Sequence, residues 1–201
     1  MTAILGRQLT SRERDLFDKY LKILIRWQKV HRLVGSVEPV WIVEHLFLDS
    51  LLFLRLLPSN TRSVLDLGSG AGLPGVPIKI VRSEVEVTLL ESRRRRASFL
   101  SAVVRELSLD GLRVIADRVE DRLGELEGRY DAVVMRCAGN LDQLIPIAAR
   151  LVVPQGGVVI GSGPPRPRPL AHGEWVTIPG LEPGATRRFA VYRQGGPSGK
   201  V

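Results

Sequence analysis

The sequence predicts an α/β fold: a mostly parallel sheet with helices on both faces, preceded by an N-terminal helical cap and closed by a C-terminal antiparallel pair. Three observations carry that prediction. From Ser63 onward short apolar runs alternate with segments of helical period, a pattern that makes parallel strands joined by crossover helices. The run Val64 to Leu67 leads directly into glycines at 68, 70 and 72, as a buried strand does when it ends at a tight turn. Before residue 61 the apolar positions recur at helical spacing instead.

In chain order, Thr10 and Ser11 with Glu13 supply a helix start, and Leu16, Tyr20, Ile23, Leu24, Trp27 and Val30 continue one long amphipathic helix. After a break at Val34 to Ser36, Pro39 opens a second helical pattern through Trp41, Ile42, His45, Leu46, Leu48, Asp49, Leu52 and Leu56, which ends at Pro58. Strands are expected at Val64 to Leu67, Val85 to Leu90, Leu112 to Ile115, Tyr130 to Met135 and Val158 to Ile160. Helices are expected at Gly75 to Val81, Arg94 to Leu107 and Leu141 to Leu151. The Pro/Gly-rich segment Gly161 to Gly173 reads as a loop beyond the fifth strand. Trp175 to Ile178 and Arg188 to Tyr192 alternate as a terminal antiparallel pair. The expected organisation is a cap over residues 1–60, a ligand-binding core over 61–194 and a disordered tail over 195–201.

The glycine turn points to a nucleotide-type cofactor. Glycine spacing alone is shared by many α/β sheets, so the neighbouring acids decide the chemistry. Asp66, two residues before the first glycine, would repel a pyrophosphate seated on the turn and suits a cofactor with a cationic end. S-adenosylmethionine, with a sulfonium and an ammonium, fits that description. The strand Val85 to Leu90 then closes on Glu91, near the offset of about 20 residues at which an acid reaches ribose hydroxyls in such sheets. A nicotinamide oxidoreductase is disfavoured, because Asp66 opposes pyrophosphate and the chain shows no catalytic Tyr-Lys or His pairing.

The formal charge is +8, with 24 arginines against 5 lysines. An arginine-rich surface suits phosphate and base contacts, although GC-rich coding also raises Arg, Pro and Gly. Cys137 stands alone, so no intramolecular disulfide forms and a reducing, cytoplasmic setting is expected. Arg12, Glu13, Arg14 and Asp15 interrupt any signal-like apolar run. The apolar region Leu46 to Leu57 carries Asp49 and Arg55 and is too short to span a membrane. No metal-ligand spacing occurs.

Several motifs resemble the bacterial GidB/RsmG family of small-subunit ribosomal RNA methyltransferases. They are RWQKVHRLVGS (Arg26 to Ser36), HLFLDSL (His45 to Leu51), DLGSGAGLPGVP (Asp66 to Pro77), TLLESRRRRASFL (Thr88 to Leu100) and RVE (Arg118 to Glu120). The resemblance implies a Rossmann-like class I methyltransferase sheet that uses S-adenosylmethionine to methylate N7 of a guanine in 16S ribosomal RNA. It implies cofactor contacts from Asp66, Gly68, Ser69, Gly70, Gly72, Leu73, Glu91, Ser92, Arg118, Val119, Glu120 and Arg136. It also implies a monomer whose partner is ribosomal RNA or the small ribosomal subunit, with no metal and no membrane. Three departures stand out. Met135, Arg136 and Cys137 replace the usual Ser-Arg-Ala, Gly161, Ser162 and Gly163 replace a Lys-Gly pair, and RLVGS replaces an Asn-Leu-Thr signature.

Guanine N7 carries a lone pair and no proton, so its methylation calls for alignment and exclusion of water rather than a general base. Arg95, Arg118 and Arg136 are therefore expected to position substrate as a basic rim at the carboxyl ends of the strands, through phosphate or O6 contacts. The same run, Arg93 to Arg96, also reads as a solvated helix face. A covalent role for Cys137 at a pyrimidine is the minor alternative to a small buried residue. His45, Trp27 and Trp41 read as packing residues on apolar helix faces, and His172 as a loop residue. Two other readings stay open: a methyltransferase for a different acceptor, and a non-catalytic RNA-binding relative with a degenerate site.

Overall fold

Runs rich in apolar residues fold as parallel strands when helices cover their faces, and five such runs do so here, four of them buried along most of their length. A computed structural model describes residues 2–136, 139–164 and 168–195. Its strands are β1 (Ser63–Leu67), β2 (Glu86–Leu90), β3 (Leu112–Ile115), β4 (Ala132–Met135), β5 (Val158–Ser162), β6 (Glu174–Pro179) and β7 (Thr186–Arg193). They form one sheet in the order β3-β2-β1-β4-β5-β7-β6. β1 to β5 pair in parallel, while β7 runs antiparallel to both β5 and β6. The chain starts at the centre, steps outward to β3, then crosses back to β4, so the switch in direction falls between β1 and β4. Ligands of open α/β sheets bind at the carboxyl ends of the strands beside such a switch.

The helices are α1 (Thr2–Leu5), α2 (Ser11–His31), α3 (Pro39–Ile42), α4 (Asp49–Leu51), α5 (Gly75–Val81), α6 (Arg94–Leu107), α7 (Val119–Leu126) and α8 (Leu141–Leu151). α2 starts as its sequence directs: the Thr10 side chain accepts from the Glu13 amide, and the Glu13 carboxylate accepts from Thr10 N at 2.7 Å. Arg7 donates to the same carboxylate and, as the first cause, holds it down at about 2. α2 packs on α5 and α6, so its residues Phe17, Tyr20, Ile23 and Leu24 join an apolar cluster with Val64, Val87 and Phe99 on one sheet face. Alternate strand residues, including Leu65, Val133 and Val159, build the opposite face with Ile145, Ala148 and Leu151 of α8.

The second helical pattern is not one regular helix. Between α3 and α4 the chain makes a π-helical segment, Val43–Leu48, and after α4 a 3₁₀ segment, Leu52–Arg55. Ile42, Phe47 and Leu52 are all fully buried at five-residue spacing, which the wider π turn aligns and a 3.6-residue period does not. Phe47 stacks on Tyr20 at 4.9 Å between centroids and thereby locks this segment to α2.

Other boundaries also move. β4 begins at Ala132, and Tyr130 makes an isolated bridge to Val152. β5 continues through Gly161 and Ser162, where the sequence predicts a loop. The sequence predicts neither α1 nor α7. The tail beyond residue 195 lies outside the described residues. Among those described, no helix is long and apolar enough to cross a membrane.

Candidate functional site

The turn after β1 needs glycine. Gly68, Gly70 and Gly72 adopt φ values of 74°, 58° and 83°, a left-handed region that costs other residues about 1–2 kcal/mol each. At Gly72 an added Cβ would lie 2.7 Å from Val76 Cγ2 and 3.2 Å from the Tyr20 hydroxyl. The turn is tied to the sheet because Gly68 N and Ser69 N both donate to Leu90 O, at 2.9 and 3.1 Å. It closes on itself where Gly72 N donates to Ser69 O at 2.7 Å.

Two acids brace this turn in different ways. Glu91, directly after β2 and 5% exposed, accepts from Gly70 N at 2.9 Å and from Arg93 N at 2.8 Å, one bond on each oxygen. A carboxylate has about four acceptor positions, so Glu91 retains capacity for hydroxyl donors beside the turn. Ser92, next to it, is exposed. This acceptor suits the hydroxyls of a ribose lying across Gly70.

Asp66 is a correction to the expectation that its carboxylate faces the ligand. It is fully buried beneath the turn, where Oδ2 accepts from Gly75 N at 2.9 Å, and Oδ1 has no hydrogen-bond partner among the described residues. Burial raises its pKa to about 7, against the lowering effect of the Gly75 bond. Its contribution to the turn is to anchor the start of α5. Leu73 is similarly turned inward, into the apolar cluster, and Val119 packs into the cluster on the other face. The Ser69 hydroxyl donates to Asp66 O at 2.8 Å.

Tyr20 is a site residue that its helical spacing concealed. It reaches from α2, fully buried, and its hydroxyl donates to Ala71 O within the glycine turn. Burial, with the Asp66 charge beside it, holds the phenol well above its usual pKa.

The expected basic rim divides. Arg95 is exposed in the first turn of α6, and Arg118 is exposed at the residue before α7, with Glu120 exposed two residues on. Arg96 is half-buried and lies against the turn, its Nη1 3.6 Å from where a Gly70 Cβ would sit. Arg136 does not join this rim. It follows β4, but its guanidinium turns inward to donate to His45 O at 2.7 Å and Leu46 O at 3.2 Å in the π segment. It also lies 3.4 Å from Asp49, which accepts from Arg187 Nε of β7 at 2.7 Å. Asp49 therefore binds two arginines at the point where α4, β4 and β7 meet. The reason is desolvation: a carboxylate only 11% exposed needs cationic partners.

Cys137 lies outside the described residues. His45 is exposed, not packed, with its ring stacked on Trp41 at 4.9 Å. Trp27 packs edge-on against Phe99 as expected, and His172 is exposed. Among the described residues no group of three His, Cys, Asp or Glu side chains is placed to hold a metal ion.

Comparison with known proteins gives a family and a shared fold. Residues 13–165 match the GidB family, described as rRNA small subunit methyltransferase G. The chain is 37% identical to the ribosomal RNA small subunit methyltransferase G of Sorangium cellulosum over 185 residues, which cover 90% of this chain and 75% of that protein. It is 32% identical to the protein of that name from Chromobacterium violaceum over 189 residues, covering 90% and 89%. The solved structure of a predicted O-methyltransferase from Agrobacterium tumefaciens superposes with a TM-score of 0.56 at 20% identity, covering 75% of this chain and 81% of that one, and so shares the fold.

Proposed function

This chain belongs to the GidB family and is an S-adenosylmethionine-dependent methyltransferase of small-subunit ribosomal RNA, and we propose that its acceptor is N7 of a guanine. It acts on this reading as a monomer in the cytoplasm, where the ribosomal substrate is found. The observation that carries the cofactor's placement is the glycine turn after β1, with three left-handed glycines braced by Glu91. The Glu91 carboxylate takes the ribose hydroxyls. The backbone of Gly68 and Gly70, half-exposed, lies along the cofactor, while Ser69, Asp66 and Leu73 shape the turn from beneath. Ser92, Val119 and Glu120 sit beyond the ends of β2 and β3, where the adenosine half extends.

When bound, S-adenosylmethionine supplies a methyl carbon activated by its positive sulfur. The chain's task is alignment, since in-line displacement needs the nucleophile about 3–3.5 Å from that carbon and water kept out. N7 already presents its lone pair, so no side chain has to remove a proton before attack. Charge passes from sulfur to purine, and a cation placed at N7 would oppose it. Arg95 and Arg118, both exposed, are accordingly assigned to RNA phosphates. Arg136 is assigned to holding the cap segment against β4, because its guanidinium is occupied by His45 O, Leu46 O and Asp49.

The test is to incubate the protein with radiolabelled S-adenosylmethionine and small-subunit particles from a strain that lacks the enzyme, then map the labelled nucleoside. Label in 7-methylguanosine is the expected result. Label in another nucleoside assigns a different acceptor, and cofactor binding without any labelled guanosine removes the N7 reading.

A further inference from the structure

A cavity of about 590 Å3 opens at the carboxyl edge of the sheet on the side away from the glycine turn. That volume is in the range of about 300–1,000 Å3 typical of small-molecule sites. Its walls are Asn140 and Asp142 from the start of α8, Ser162 from the end of β5, Arg168, Trp175 of β6 and Arg187 of β7. The glycine turn follows β1, and β4 is the neighbour of β1 across the switch in strand order. The turn and this cavity thus occupy the two halves of one edge, with the end of β4 between them.

Trp175 is the single aromatic side chain among the described residues that line the cavity. Its indole is fixed in two ways. Nε1 donates to Arg168 O at 2.7 Å, and the ring lies against Gly163, where an added Cβ would come within 2.3 Å of it. A bare backbone at Gly163 is therefore what lets the ring sit there. An aromatic plane held so firmly loses little freedom when a second planar ring stacks on it.

Asp142 adds a directional feature. Oδ1 accepts from Ala171 N at 3.0 Å, and the carboxylate keeps further acceptor positions. Guanine presents two donors, N1–H and the N2 amine, on its Watson–Crick edge. Adenine presents none at N1, so a carboxylate there favours guanine.

From this geometry, and resting on the acceptor reading above, we infer that the cavity receives the target guanine swung out of its RNA strand, with Trp175 stacking on the ring and Asp142 accepting from its N1–H and N2 amine. Extruding the base is how enzymes that modify a base reach its ring atoms. The cofactor half of the edge then faces the purine from the direction of β1.

Three variants test the assignment: W175A, W175F and D142A, each checked for folding by its melting curve. The substrates are small-subunit RNA with the mapped guanine and the same RNA with inosine there, which keeps N7 but lacks the N2 amine. W175A is expected to lower kcat/KM for RNA by about 10- to 100-fold, the size of one base–aromatic stack, with W175F recovering most of it. Affinity for S-adenosylmethionine, read by calorimetry, stays at the wild-type value. Wild type is expected to disfavour inosine, and D142A, which leaves no side-chain acceptor at this position, to treat the two RNAs alike. A folded W175A with wild-type kcat/KM, or a folded D142A that still discriminates against inosine, overturns the pocket while the guanine reading stands. A wild-type protein that labels no guanine removes both.

Discussion

Asp66 holds a proton at pH values where aspartates ordinarily have none. Its burial beneath the turn is the main cause, and the Glu91 charge adds to it, while Gly75 N, Ser69 and Arg136 act in the opposite direction. With a folded pKa of about 7 and an ordinary value of 3.8, the native state binds more protons than the unfolded chain between those limits. The contribution is therefore present in full below the ordinary value and is lost as pH rises toward 7. Asp66→Asn removes the titrating group, so the urea midpoint of the wild type is expected to fall further than that of the variant between about pH 4 and pH 7. Parallel profiles would show that Asp66 does not titrate in that window. Gly72 makes a second residue-scale case. At φ 83°, with Val76 Cγ2 2.7 Å from an added Cβ, Gly72→Ala combines left-handed strain of about 1–2 kcal/mol with a clash. A lowered melting temperature and at least tenfold weaker S-adenosylmethionine binding are expected, both measurable on one preparation. Gly70 has Arg96 Nη1 at 3.6 Å and more room, so Gly70→Ala should cost less.

At the scale of elements, the join between the cap segment and the strand ends rests on Asp49. Its carboxylate faces Arg136 at 3.4 Å and Arg187 at 2.7 Å, and the three side chains are 11%, 13% and 29% exposed. Removing one partner of a buried ion pair typically costs about 3–5 kcal/mol. Because Arg187 keeps some solvent, Asp49→Asn is expected to destabilise the protein by about 2–3 kcal/mol, read from denaturant unfolding. A change below about 0.5 kcal/mol would place the pair with surface bridges. Nothing local in the sequence announces this join. Asp49 and Arg187 are separated by 138 positions, and no periodicity links a helix residue to a strand that distant. The elements with strong local signals were legible: α2 through Thr10 and Glu13, α5, α6 and α8 through their apolar spacing. α7 was not, because only Val119 and Leu126 are buried in it and Gly124 interrupts the pattern. The π segment escaped because Ile42, Phe47 and Leu52 repeat at five residues, a period that amphipathic reasoning does not test. The glycine turn could be read from spacing, but the sequence could not say that Asp66 lies beneath it while Glu91 braces it from the side.

Across the whole molecule the distribution of charge matters more than its sum. Among the described residues the ion pairs draw on Arg7, Arg26, Arg82, Arg122, Arg136, Arg150, Arg187 and Arg193 together with Lys22. Arg93, Arg94 and Arg95 take part in none of them and are exposed. They stand at the N-terminus of α6, whose first turn holds no acid. A helix N-terminus carries partial positive charge, so each cation there is disfavoured by about 0.3–1 kcal/mol. Folding alone therefore argues against these arginines, whereas an RNA backbone beside the glycine turn would reverse the balance. Replacing all three with serine separates the two effects. The variant should melt at or slightly above the wild-type temperature, because a repulsive cluster is removed from the helix end. Its RNA affinity should fall, and the slope of log affinity against log salt should flatten by about 0.7 for each single-strand phosphate no longer neutralised, or about 2 for three phosphates. S-adenosylmethionine affinity should not change, since the turn is held by Glu91, Leu90 O and Tyr20. An unaltered salt slope with weaker binding would assign the weakening to something other than phosphate neutralisation. An unaltered slope with unaltered binding would make this run a solvated helix end.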